Sequence, residues 1–333
     1  MRRLAQWQAA AALAAAALSW AGSTAAHESQ RQRSAAPVRA GIAAADAAQS
    51  RHDFAAARAE LDRLLAAEPD DLEARLMSAN LRLLAGDYAA ARADCRYVIE
   101  AGALLAGTVC LASAQTGAGS VGRARAMIAA LGEYDDHDEA TGELMLWRLL
   151  TMADLSSRAG DAKAALAFLE RAHAIDPGHE EARTQLAERV LAGGDSERAL
   201  SLASAPGASP SRLVVRLRAA LALGDPRADA WRRELEGMLA SDRRRGLPPH
   251  LREEGELALH VDGNAGSALT FARLNFVTQK DTRDLRLLAA SASASSDAHA
   301  LASLRAWMVE TGFEDRVVQG QLDATRQAAA AGR

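Results

Sequence analysis

The sequence predicts an all-α chain in which antiparallel helix pairs stack one on the next, and three observations carry that expectation. Alanine, the best helix former, supplies about a quarter of the residues, against only eight prolines in 333. A two-residue joint recurs between apolar helical runs, at His52-Asp53, Gly86-Asp87, Gly119-Ser120, Gly160-Asp161 and Gly194-Asp195, in steps of 34, 33, 41 and 34 residues. Alanine also stands eight residues before and four after the second residue of every joint: Ala45, Ala79, Ala112, Ala153 and Ala187 before it, Ala57, Ala91, Ala124, Ala165 and Ala199 after it. Only 4% of the residues are aromatic, so thin layers of closely packed helices are favoured over a thick core or a sheet.

The first element is a leader. Met1-Arg2-Arg3 is positive, Ala9 to Gly22 is apolar, and the small residues of "STAAHES" follow. This is the pattern of a secretory signal peptide cut after Ala25 or Ala26, which gives a leader over 1–26 and a linker over 27–37. The expected location of the mature chain is periplasmic or secreted. The apolar run is too short for a comfortable membrane span, so no span is expected in the mature chain. No cysteine stands at the cut to carry a lipid.

The five joints come next, over 38–204. Glycine ends a helix because it takes the left-handed conformation without a Cβ penalty. Aspartate or serine then caps the following helix by accepting from its free N–H groups. Small residues on both sides of the turn let the two helices cross closer than the usual 8–10 Å.

These columns together resemble the tetratricopeptide repeat (TPR) family, whose period is 34 residues. The resemblance rests on "HDFAAA…LDRLLAAEPDD" ending at Asp71, "GDYAAARADC" (86–95) and "GDAKAALAFLERAHAIDPGHEEA" (160–182), with Pro69 and Pro177 at the closing position. It implies a TPR-type α-solenoid, stacked as a right-handed superhelix with a concave groove that receives another protein or peptide. The family's groove positions on the first helix of each pair fall on Arg39, Asp46 and Gln49, on Asn80, on Trp147, Asp154 and Arg158, and on Glu188 and Arg218. Ile42 and Asp46 stand where a carboxylate clamp would want Lys and Asn. Trp147 reads equally as a binding anchor or as packing between helices.

Beyond 204 the pattern weakens. Gly224-Asp225 and Gly263-Asn264 keep the joint, but the small positions become Leu217, Asp229 and Glu256, and only Ala268 survives. Residues 205–318 are read as three degenerate pairs and a cap, with a break at "SDRRRGLPPH" (241–250), and 319–333 as an unstructured tail.

Other patterns carry less. Gly117, Gly119 and Gly122 match a dinucleotide fingerprint, but no strand precedes them. The acidic insertion 132–143 lacks the ligand spacing of a calcium loop and reads as a solvated loop. The eight histidines have no metal-ligand spacing, and no catalytic constellation is legible. Arg243 to Arg245 reads as a solvated linker, and a formal charge of −4 gives no footprint for nucleic acid. In the TPR register Cys95 and Cys110 sit about seven residues either side of a helix–helix turn. They read equally as a disulfide in an oxidising compartment or as two small buried thiols.

The expected function is therefore a non-catalytic exported TPR scaffold or adaptor without cofactor, holding a periplasmic or envelope protein in its groove, with assembly as a fitting role. The alternative is a periplasmic protein that binds a small ligand or metal through the groove or the acidic insertion.

Overall fold

The computed structural model describes residues 25–132, 139–204, 207 and 209–331. Among them are seventeen helices and no strand. The pairs are α1 (Ala25–Ser50) with α2 (Phe54–Ala67), α3 (Leu72–Ala85) with α4 (Tyr88–Glu100), and α5 (Leu104–Ser113) with α6 (Ser120–Ala129). They continue with α7 (Glu139–Arg158) and α8 (Ala162–Ile175), then α9 (Glu180–Ala192) and α10 (Ser196–Ala203). Past residue 204 come α11 (Pro210–Leu223) with α12 (Ala228–Arg244), α13 (Leu251–His260) with α14 (Ala265–Thr278), and α15 (Thr282–Ala294) with α16 (Ala298–Thr311). A single helix, α17 (Arg316–Ala331), follows.

The joints form as their chemistry dictates. The carboxylates of Asp53, Asp87, Asp161 and Asp195 each accept from a backbone N–H three residues on, at 3.0–3.1 Å. Gly86 takes the left-handed conformation (φ 82°) and closes α3 with bonds to the carbonyls of Arg82 and Leu83. His52 does the same job at φ 59° without being glycine. All ten alanines that flank the joints are buried, none more than 2% exposed, so each hairpin crosses on methyl groups.

Two stretches expected to lack structure are helical instead. Residues 27–37 continue α1, which begins at Ala25, and most of the 319–333 tail belongs to α17. Both are rich in alanine and glutamine, good helix formers that need no joint to mark them. Part of the acidic insertion, 133–138, lies outside the described residues, as does the leader up to residue 24.

The helices sort into two compact units. Unit 1 takes the chain to Gln115 together with Ala126–Arg148, and unit 2 takes Thr116–Arg125 with Leu149–Arg333. In unit 1, Ile42, Leu61, Met77 and Leu81 form one cluster, and Leu72, Leu76, Val98, Cys95 and Cys110 form the next. In unit 2, Leu169, Leu186 and Val190 pack with Ala153 and Ala219. Leu213, Leu217, Leu235 and Leu239 pack with Leu257 beyond them.

Helices α4 and α5 of unit 1 approach closely. Cys95 and Cys110 are joined there as a disulfide, with Cα atoms 5.4 Å apart, and both are buried. Three residues before Cys110, Gly107 has no room for a side chain: a Cβ would lie 2.6 Å from Ile99 Cγ1 and 2.8 Å from the Ile99 nitrogen. Alanine gains roughly 1 kcal/mol over glycine inside a helix, but a clash with backbone forces the helices apart and costs about 1–3 kcal/mol. We therefore expect Gly107→Ala to lower the stability of unit 1, read as an earlier urea midpoint. A thiol count on the denatured, unreduced chain is expected to find none.

Candidate protein-binding faces

In each pair the first helix presents the positions that the sequence assigns to the groove, so the inner face of each unit is built from α1, α3 and α5 or from α7, α9, α11, α13 and α15. The assigned residues divide between the units. Arg39, Asp46, Gln49, Asn80 and Trp147 belong to unit 1, and Asp154, Arg158, Glu188 and Arg218 to unit 2.

In unit 1, Arg39 is exposed, Asp46 and Asn80 are half-buried, and Gln49 is buried. Trp147 is half-buried against the cluster of Leu72, Leu76 and Cys110, the packing role rather than a projecting anchor. A residue that the sequence reasoning missed completes this face. Glu73, on the first turn of α3, holds the same helix position as Arg39 and Trp147 in their own repeats. Burial pushes its carboxyl up to about 7, helped by the neighbouring charges of Asp71 and Asp46. Asp46 is itself raised by burial. Among the described residues no ion pair reaches Glu73 or Asp46. The register alone could have found Glu73, since it marks the position whatever residue fills it.

In unit 2 the corresponding charges are taken up within the chain. Arg283, at the start of α15, reaches back to Glu181 at 3.2 Å and to Glu188, both on α9. Burial holds the Glu188 carboxyl up at about 7 despite Arg283. Arg286, one turn further along α15, binds Asp315 at 2.9 Å and the Ser157 hydroxyl at 2.7 Å. Arg218 pairs with Glu256 at 3.2 Å. Arg158, 3% exposed, donates to the Glu314 carbonyl at 2.9 Å and lies 4.0 Å over the Phe313 ring. Asp154, one turn before it on α7, stands 3.7 Å from the Arg158 guanidinium. A second network stands behind these contacts. Arg252 holds Asp281 and Asp284, and Asn275 also donates to Asp284. Burial raises the Asp284 carboxyl to about 6 against the pull of Arg252.

The glycine stretch at the third joint does hold an anion, and it is one of the chain's own. The Glu314 carboxylate accepts from Gly119 N at 2.6 Å, Ser120 Oγ at 3.0 Å and Val121 N at 3.1 Å. It sits on the N-terminus of α6, where free N–H groups and the helix dipole favour negative charge. This is the one joint of the five that carries serine in place of aspartate. Among the described residues no group of three His, Cys, Asp or Glu side chains is placed to hold a metal ion, and no helix is long and apolar enough to cross a membrane.

A family model described as a tetratricopeptide repeat matches residues 158–223, the stretch from the end of α7 to the end of α11. Among solved structures, a thermophilic TPR protein of Thermus thermophilus is similar at 24% identity and a TM-score of 0.45, over 57% of this chain and 98% of that one. The TPR domain of P58(IPK) is similar at 15% identity and a TM-score of 0.28, over 89% of this chain and 99% of that one. No curated protein matches the sequence.

The raised Glu73 carboxyl has a stability consequence with a definite sign. An acid whose pKa is higher in the folded chain than its ordinary 4.5 makes the folded state bind more protons between 4.5 and about 7. Its favourable contribution is full below pH 4.5 and is lost as the pH rises to 7. We expect Glu73→Gln to flatten that decline and to raise the melting temperature at pH 8. Denaturation curves of both chains from pH 4.5 to 8 check this; an unchanged slope would count against a perturbed Glu73.

Proposed function

From the tetratricopeptide-repeat match over residues 158–223 and the stacked helix pairs, we propose that the chain is a non-catalytic scaffold, exported across the inner membrane, that holds another protein against the inner face of unit 1. Stacked helix pairs of this kind present extended inner surfaces suited to peptides and helices. The observation that carries the reading is the contrast between the two inner faces. In unit 2 the positions that would meet a partner already meet the chain itself, whereas among the described residues no ion pair reaches Asp46 or Glu73 of unit 1, both half-buried. A basic segment laid along α1 and α3 would supply that charge.

Export is supported by the leader pattern of residues 1–26, and a disulfide between Cys95 and Cys110 is chemistry suited to an oxidising compartment. The disulfide locks α4 to α5 within unit 1 and so keeps the proposed face in shape while the protein waits for its partner.

Capture of envelope proteins on residues 27–333, with a parallel column of Asp46→Asn/Glu73→Gln, tests the interaction. The expected result is a protein that the first column retains and the second loses, with retention weakening as salt is raised. Equal capture by both columns would remove unit 1's inner face from consideration. Residues 1–26 fused to a reporter that is active only outside the cytoplasm are expected to give activity. An inactive, uncut fusion would end the exported reading.

A further inference from the structure

We propose that Gly312–Asp315 is a clasp that closes unit 2 on itself, turning a stack with free ends into a cycle whose inner face opens only when the clasp releases. In an ordinary repeat stack each repeat touches only its neighbours, so stability is a sum of local terms and the ends fray first. Unit 2 departs from that rule. The loop opening its first helical element and the loop after its last pair are far apart in sequence yet bonded to each other.

Four consecutive residues make the clasp, and they are held by the loop before α6, by the end of α7 and by α15. The Gly312 carbonyl accepts from Gly117 N at 2.7 Å. This contact demands glycine at 312 twice over, because φ is +68° and a Cβ would fall 2.6 Å from the same nitrogen. Phe313, 5% exposed, lies beneath the Arg158 guanidinium and beside Trp307. The Glu314 carboxylate caps α6 from 195 residues away, and its backbone carbonyl takes the Arg158 Nε–H. Asp315, wholly buried, binds Arg286 and accepts from Val317 N and Val318 N, thereby starting α17.

The anchors are interdependent. Arg158 touches two of the four residues and Arg286 a third, while Arg286 also holds Ser157, the neighbour of Arg158. Losing any one anchor loosens the geometry of the others, so the clasp releases as a whole. While it is shut, Arg158 and Arg286 cannot serve a partner. The Glu314 carboxylate is the piece to remove, because it touches only the α6 terminus and is not part of the apolar core.

Residue-resolved hydrogen exchange on the full chain under native conditions tests this. In the native chain the amides of Gly119 and Val121, those of α16 and α17, and those of α9 to α11 are expected to share one opening. In Glu314→Ala the first two groups are expected to exchange roughly five- to tenfold faster, as the loss of a helix cap implies, while α9 to α11 keep their protection. Glu314→Gln retains one acceptor oxygen and is expected to fall between the two. A native chain that already frays stepwise from α17 inward overturns the proposal, with no need of a variant. So does a Glu314→Gln chain that speeds exchange at Gly119 and Val121 but leaves α16 and α17 untouched, which would make Glu314 a local cap only. The readout needs no binding partner, so it stands or falls apart from the scaffold reading.

Discussion

Because the five pairs of 38–204 cross on alanine methyl groups, the larger side chains of each hairpin are packed to either side of the crossing, and much of its stability comes from clusters that it shares with the next hairpin in the stack. The ten joint-flanking alanines are almost wholly inaccessible. The larger side chains, Leu61, Leu186, Leu213 and Leu235 among them, are buried in the clusters that link one pair to the next. Alanine at the crossing thus fixes the thickness of a layer, and leucine between crossings fixes the spacing of layers. Once those distances are set, the first helices of successive pairs within a unit lie side by side. The charged residues at its groove positions then become neighbours whether or not they are complementary.

The two units resolve that crowding differently. In unit 2 the acids and arginines brought together are of opposite sign and close enough to bond, as Arg283 does with Glu181 and Glu188. Buried ion pairs are weak evidence for net stability, because desolvation consumes most of the Coulomb gain, yet removing one partner is costly. Such pairs therefore act chiefly as a register. Arg286 can satisfy Ser157 and Asp315 together in only one seating of α15. The pair Arg212–Glu180, at 2.9 Å and almost fully buried, pins α11 to the start of α9 in the same way. Glu180 reinforces this by accepting from Ser209 N, the cap residue of α11.

Most of the fold was legible because joint chemistry is local. A glycine, a capping acid and two alanines at fixed offsets are all visible within a dozen residues, so helix pairs could be placed without knowing what they pack against. What resisted was long-range. Nothing near Gly119-Ser120 says that its capping acid is Glu314, and nothing in the register says that Arg158 and Glu188 face α15 and the α16–α17 loop instead of a partner. Those facts depend on how far the stack turns between repeats, a quantity summed from small packing differences at every crossing. The helical state of 27–37 and of the last residues was missed for another reason: without a joint to mark them, propensity was the sole signal. Glu73 occupies a position that the register marks in every repeat, but no local feature of the sequence sets it apart from the acids around it.

An unneutralised acid on a packed face is a standing cost, and the contrast between the units bears on where function resides. Burial and two like charges push the Glu73 carboxyl up to about 7 with no opposing cation among the causes, whereas Glu188, equally raised, has Arg283 beside it. An internal cation at the level of Glu73 would offset part of the cost, as Arg283 does beside Glu188, whose carboxyl burial still holds up at about 7. Local rules are broken most often where a protein keeps a surface for something outside itself. The same desolvation that raises the Glu73 carboxyl also strengthens any charge-assisted bond made to it. A partner's cation at that point therefore gains twice, once from the bond it forms and once from the repulsion it relieves. That asymmetry is the physical reason to look for the partner on unit 1 and to regard unit 2 as a body that has already bound itself.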